Sequence, residues 1–423
     1  MIDKTKIPPL TREIIDNYML PSMPRADYDY LVLLVTYGVS KMLCHNRVIL
    51  RSEVLKSKDT APNFYMISFS PSGSGKDKGM RFLKCIMERV YTEIRGDYVA
   101  IHEYMKKTLD KKIELKGLKK DAANAYRAQH SPRHMKSEID SSATPEGFVA
   151  TREAFFDAKT GCTCWEDSEI YDTFQSKSST IQDFQKLNKE AFDQGETKGK
   201  VIKGNKKPVD IDGVPHLIAL HGSIDDTADI DIFKPFFDQG YARRCFVFMS
   251  SKEETYVPIS VDKRIELSMR ASSFEGQGRT LFSEIFNHYK RDISIRSEHG
   301  DNGRKILKFT KEAERRHMEY VNECEEEGFK YSGSNNKGVG IAIEHNWWKV
   351  LKLSGVICAQ ERGDIITKEH IETAIYMANY YTNYFKKFYL LEKESNERIV
   401  ADLIMANPGI MKSDIKKSKA LSA

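Results

Sequence analysis

Residues 64–78 read Phe-Tyr-Met-Ile-Ser-Phe-Ser-Pro-Ser-Gly-Ser-Gly-Lys-Asp-Lys, and they restrict the possible folds more than any other stretch. The apolar and aromatic run 64–69 has strand character. Ser70 and Pro71 end it and begin a loop. Gly73 and Gly75 free the backbone for conformations that other residues resist. Lys76 follows, and Met80, Phe82, Leu83, Ile86 and Met87 then recur at helical spacing. Strand, glycine loop with lysine, then helix is the order that a phosphate-cradling P-loop requires. N–H groups of Ser72, Gly73, Ser74 and Gly75, with the helix N-terminus, would hold phosphate oxygens. Lys76 would reach the β- and γ-oxygens of ATP.

Two positions depart from the usual G-x-x-x-x-G-K-[ST] pattern. Ser70 stands at the first glycine, and Asp77 stands where a hydroxyl would meet Mg2+. Asp77 offers oxygen ligands that suit Mg2+ directly or through water. It also puts negative charge near phosphates, which weakens binding unless a metal lies between. The plain alternative is a Gly-Ser turn before a basic helix.

The rest of the composition bounds the class. A chain of 423 residues has room for two or three domains. With 30% charged and 40% hydrophobic residues it reads as globular. The net charge of +5, from 66 basic and 61 acidic residues, neither requires nor excludes a nucleic-acid partner. Seven scattered cysteines fit a reduced, cytoplasmic compartment. Cys162-x-Cys164 lacks a second pair for zinc. The first residues lack the apolar run of a signal peptide, and no apolar stretch is long enough to span a membrane.

Taken in order, residues 1–55 read as an N-terminal helical region, with apolar runs at 31–35 and 48–50. The lysines and arginines between 106 and 136 suggest a solvated helix, with nucleic-acid contact as the alternative. Thr144 and Pro145 are a good N-cap and first helical residue. Residues 161–169, Gly-Cys-Thr-Cys-Trp-Glu-Asp-Ser-Glu, form a β-prone run ending in acids, as a Walker B strand does. Such a site needs one acid to orient Mg2+ and another to polarise the attacking water. By position Glu166 takes the metal and Asp167 the base. The other register puts Asp167 first, with Glu169 nearby, and a polar strand end is the plain reading. Residues 170–195 read as a helix.

Gly204-Asn205 suggests a hairpin turn whose tip carries Lys203, Lys206 and Lys207, with Lys198 and Lys200 on one arm. Clustered lysines there would meet phosphates without regard to sequence, or simply keep a loop soluble. Residues 216–223 form a buried-type strand ending at Ser223, where a sensor of the γ-phosphate would sit. Arg243 and Arg244 precede a strand at 245–249 and are placed to serve a neighbour's nucleotide as an arginine finger, or to cap acids within the chain. Beyond residue 255 strand signals fade and helices dominate, and 399–423 reads like the start of a winged-helix unit.

This order of parts resembles the ATPase module of phage- and plasmid-encoded primase-helicase proteins, the AAA+ group of superfamily-three viral initiator helicases. The resemblance covers roughly residues 56–395. It implies an α/β fold, with a parallel sheet flanked by helices, an ATPase core at 56–255, a helical lid or collar at 256–395 and a further unit at 396–423. It also implies a ring oligomer, expected as a hexamer, that couples ATP hydrolysis with Mg2+ to movement along single-stranded DNA in a bacterial cytoplasm. Lys76 and Asp77 would serve phosphate and Mg2+. Glu166 and Asp167 would form the metal and water-activating pair, Ser223 the sensor, and Arg243 or Arg244 the finger in trans. Lys198, Lys200, Lys203, Lys206 and Lys207 would contact DNA. A primase would come from another chain. The competing classes are a nucleotide-binding assembly scaffold without turnover and an ATPase that remodels protein partners.

Overall fold

The structure, a computed structural model, describes the chain except for residues 54–58, 71–75, 133–134, 136–137, 140–143, 168–169, 171–178, 195–210, 212, 224–239, 242, 251–257, 291–303, 332–336 and 407–423. The N-terminal region contains α1 (Pro9–Ile14), a π-helical turn at Ile15–Met19, α2 (Tyr28–His45) and the short strand β1 (Ile49–Arg51). Asp27 caps α2 by accepting from the Asp29 N–H. All 18 residues of α2 are buried, the expected place for a helix that is apolar on nearly every side.

The central part runs β2 (Tyr65–Ser70), α3 (Lys76–Ile86), α4 (Glu88–Leu115), α5 (Lys120–His130), β3 (Glu138–Ile139), α6 (Pro145–Asp157), β4 (Thr163–Asp167), α7 (Ser179–Gln194), β5 (His216–Ser223) and β6 (Phe246–Met249). The remainder is α8 (Val261–Tyr289), β7 (Ile306–Phe309), α9 (Lys311–Phe329), α10 (Lys337–Glu344), α11 (Asn346–Gln360), β8 (Ile365–Ile366) and α12 (Lys368–Ala406). The expected cap of α6 is present, with Thr144 Oγ1 accepting from Gly147 N at 3.1 Å.

The larger sheet has the order β3-β4-β5-β2-β6, and every pairing in it is parallel. Parallel sheets are covered on both faces, and β2 is accordingly buried along its whole length. On one face lie α2, α3 and α4. On the other, Trp165 of β4 packs edge-on against Phe184 of α7, which also meets Phe148 of α6. After β2 the chain crosses to the far edge, returns through β4 to β5, and then passes to β6 on the opposite side. Loops therefore leave the carboxyl ends of β2 and β5 in opposite directions. That is the switch point at which open α/β sheets bind ligands.

Helices α2 and α3 approach closely because each offers a glycine. A Cβ at Gly38 would lie 3.0 Å from Leu83 Cδ1, and one at Gly79 would lie 2.7 Å from Leu34 Cδ1. The glycine-loop helix is thus pressed against the most buried helix of the molecule.

Three expectations need correction. Residues 48–50, read as part of a helical region, lead into β1, which pairs in parallel with β7. β7 in turn pairs with β8, so strands continue past residue 255. Short β-branched runs carry no periodicity to separate strand from helix. This second sheet joins residues from the N-terminal region to two segments of the C-terminal helical region. Finally, α12 runs unbroken through residues 395 and 396, so the boundary expected there falls inside a helix, and residues 407–423 lie outside the described part. Among the described residues, no helix is long and apolar enough to cross a membrane.

Candidate nucleotide-binding site

The site is built where the carboxyl ends of β2, β4 and β5 come together. Ser70 ends β2 opposite Ser223 at the end of β5, and Asp167 ends β4 opposite Leu220. The glycine loop, with Ser72, Gly73, Ser74 and Gly75, lies outside the described residues. Its two ends are described: β2 stops at Ser70 and α3 begins at Lys76. The expected strand and helix therefore flank the loop as the motif requires, and the N-terminal end of α3 opens beside the switch point.

The acidic strand is more informative than the sequence suggested. Successive side chains of a strand point to opposite faces, so Glu166 and Asp167 diverge. Glu166 faces α2 and α3. Its Oε1 accepts from Tyr37 Oη at 2.9 Å and Lys41 Nζ at 2.8 Å, and its Oε2 pairs with Lys84 Nζ at 2.6 Å. Lys41 also binds Glu138 of β3 at 2.9 Å. Burial alone would raise the Glu166 pKa, but Lys41 and Lys84 outweigh it and bring it down to about 2. Burial would lower Lys41, yet Glu166, Tyr91 and Glu138 hold it well above the usual lysine value. The group is a closed set of charges spanning β3, β4, α2 and α3.

Lys84 lies eight residues after Lys76, so its Cα is about 12 Å further down the helix. The carboxylate that meets it sits well below the level of the glycine loop. Both Glu166 oxygens are already engaged by ammonium groups, so as placed it does not fit an open Mg2+ ligand. Asp167, one step closer to the carboxyl edge and partly exposed, is at a better level. Asp77 begins α3 beside Lys76, and an oxygen donor there suits a hard cation. Among the described residues, no cluster of three or more His, Cys, Asp or Glu side chains could hold a metal ion.

The amino edge of the sheet is built differently. Arg152 is fully buried and donates to Thr163 Oγ1 at 3.1 Å and Val214 O at 2.8 Å. Arg47 donates to the carbonyls of Gly213, Phe155 and Thr160. Two guanidinium groups thus hold the loops that lead into β4 and β5.

Arg243 and Arg244 also lie at this edge, just before β6. Gly240 has φ +84 and turns the chain there. Tyr241 is buried and donates to Gln185 O at 2.6 Å. Arg244 pairs with Asp193 of α7 at 3.2 Å, so it is used within the chain. Arg243 lies against Gly240, is partly exposed, and makes no ion pair among the described residues. Neither reaches the carboxyl edge of its own sheet, because the four residues of β6 span about 13 Å.

Ser223 ends β5 as expected, but its side chain is outside the described part. Lys198, Lys200, Lys203, Lys206 and Lys207 fall in 195–210 and are likewise outside it. Sequence reasoning missed Tyr37, Lys41 and Lys84. One signal was available: a lysine in an otherwise apolar helix is buried with it and needs polar or charged partners.

No family model and no curated protein matches the chain.

Proposed function

We propose that this protein is a P-loop ATPase of the superfamily-three helicase type, moving along single-stranded DNA in the replication of a phage or mobile element in a bacterial cytoplasm. The observation that carries this reading is the position of β2. The strand that feeds the glycine loop is an interior strand of a parallel sheet, at the switch point, and separated from the acidic strand β4 by β5 alone. That arrangement supports an AAA+-type core with a helical lid, in which α3 points its N-terminal dipole at phosphates.

In this reading Lys76 neutralises the β- and γ-phosphate oxygens, and the loop N–H groups hold them. Asp77 and Asp167 would hold Mg2+, which when bound would supply positive charge against that developing in transfer. The engagement of Glu166 by Lys41 and Lys84 favours the register with Asp167 first, which leaves Glu169 to take the proton of the attacking water. As the water oxygen bonds to the γ-phosphorus, the bond to the bridging oxygen breaks and ADP leaves. Ser223 would report the γ-phosphate. Arg243, partly exposed and at the amino edge, fits a finger serving the neighbouring subunit of a hexamer better than Arg244. Lys198, Lys200, Lys203, Lys206 and Lys207 would line the DNA channel, and a separate primase would act with the ring.

The test is ATP hydrolysis with and without single-stranded DNA, with Lys76→Ala as the blank. DNA-stimulated turnover that disappears in the variant is expected. A second reading, a nucleotide-bound assembly scaffold, is favoured by one observation: Glu166 is closed off by lysines. ATP binding without turnover, lost in Lys76→Ala, would support it over the motor.

A further inference from the structure

Residues 106–130 hold eight Lys and Arg against three Asp and Glu. Their net charge of +5 equals that of the whole chain, so the rest of the protein is balanced. They form the outer part of α4, a turn at Gly117 and all of α5. After His102 the only buried residue of α4 is Ile113, and the only one of α5 is Ala123. The outer part of α4, about 20 Å long, therefore stands with α5 as a helical hairpin whose surface mostly meets solvent. In the chain it lies between α3 and the edge strand β3.

Five of its cations are not paired. Among the described residues, Lys106 pairs with Glu103 at 3.3 Å and Arg127 with Asp110 at 3.0 Å. Lys107, Lys111, Lys112, Lys119 and Lys120 are exposed and form no ion pair there. Lys107 and Lys111, like Lys112 and Lys116, are like charges four residues apart, which weaken a helix standing alone. A polyanion laid along the hairpin would relieve that repulsion.

The surface suits phosphates more than unpaired bases or lipid. The Tyr126 ring is covered by Lys116, 4.4 Å from its centroid, and stacks on His130 at 4.0 Å. It offers no platform to a free base. From 103 to 130 the large exposed apolar side chains are Tyr104 and Leu115, too few for a helix that beds into a membrane surface. Duplex DNA, with one charge per ~1.7 Å of axis, presents a denser row of phosphates than a single strand does.

We infer that the α4–α5 hairpin holds the backbone of double-stranded DNA, without regard to sequence, through Lys107, Lys111, Lys112, Lys119 and Lys120. This goes beyond the motor reading, in which a single strand meets other lysines, and it does not need the glycine loop to bind nucleotide.

Fluorescence anisotropy of the whole chain, without ATP and over a range of salt, tests it with a labelled duplex of mixed sequence and with one of its strands. Wild-type protein should bind the duplex. Lys107→Gln, Lys111→Gln, Lys112→Gln, Lys119→Gln and Lys120→Gln together keep good helix formers at exposed positions. They should weaken the duplex about tenfold or more, with the slope of log K against log salt falling by about 1 for each lysine that meets a phosphate. The single strand should change by less than about threefold, and Lys107→Gln with Lys111→Gln alone should show part of both duplex effects. Lys263→Gln, Lys308→Gln, Lys311→Gln, Lys330→Gln and Lys368→Gln together remove the same charge from exposed positions elsewhere. This control should change duplex binding by less than about twofold. If both sets weaken the duplex alike, or neither does, the hairpin is not the contact. Equal loss of duplex and single strand would also overturn the inference, as would wild-type binding to phosphatidylserine vesicles without binding to the duplex. Because no ATP is present, failure of the ATPase reading would leave the result standing.

Discussion

Lys41 and Lys352 are equally buried, each 2% exposed, yet their charges are treated in opposite ways. Lys41 of α2 meets Glu166 and Glu138 and is held well above the ordinary lysine pKa. Among the described residues, Lys352 of α11 meets no carboxylate directly. It donates to Asn63 Oδ1 at 2.5 Å, Phe192 O at 2.9 Å and Asp193 O at 3.3 Å. Burial pushes its pKa down to about 7, against the pull of the Asp193 charge. Neutral dipoles satisfy hydrogen bonds but do not replace a counter-ion. Lys41 needs a buried anion, and the acid at the end of the strand supplies it.

The largest break in this contrast is Glu166→Ala. It leaves Lys41 without its main counter-charge in a buried site, and loss of one partner of a buried pair costs about 3–5 kcal/mol. Denaturant unfolding should show that loss. A change below about 1 kcal/mol would mean that Lys41 relaxes to water and that the charge set is not closed.

Acid sharpens the same point. The folded Glu166 pKa, about 2, lies below its ordinary 4.5. Its contribution is therefore complete above pH 4.5 and fades as pH falls towards 2, by about 3 kcal/mol in all. Wild-type stability should drop towards that of Glu166→Gln over this range. Parallel curves for the two proteins would refute the assignment.

Lys352 should show the opposite slope. Its folded pKa lies below the ordinary 10.5, so between pH 7 and 10.5 the unfolded chain binds the extra proton. Wild-type stability should then rise relative to Lys352→Met, by at most about 1.4 kcal/mol per pH unit. A difference between the two that does not vary with pH would count against a depressed pKa.

Lys84→Met should have the smallest effect. Its side chain is 44% exposed, and Glu166 keeps Lys41 and Tyr37, so a loss under about 1 kcal/mol is expected. A loss as large as that of Glu166→Ala would make Lys84, rather than Lys41, the principal partner.

Much of the core was readable from local chemistry. The strand before the glycine loop, the helix from Lys76, the Thr144 cap and the strands ending at Asp167 and Ser223 all follow from short-range pattern. The second sheet was not readable, because β1, β7 and β8 are two to four residues each and lie far apart in the chain. The partners of Glu166 were hidden for a similar reason. Tyr37 and Lys41 precede it by more than 120 residues.

By itself, the sequence determined where a glycine loop joins a strand to a helix, because glycine placement, strand propensity and helical spacing act within a few residues. It also determined that acids close a strand downstream. Only the tertiary structure decided what each acid faces. The two carboxylates alternate across β4, and the one facing α3 is met by lysines from two helices. Electrostatic pairing is set by distance in space, and that distance exists only once the sheet and its helices have packed.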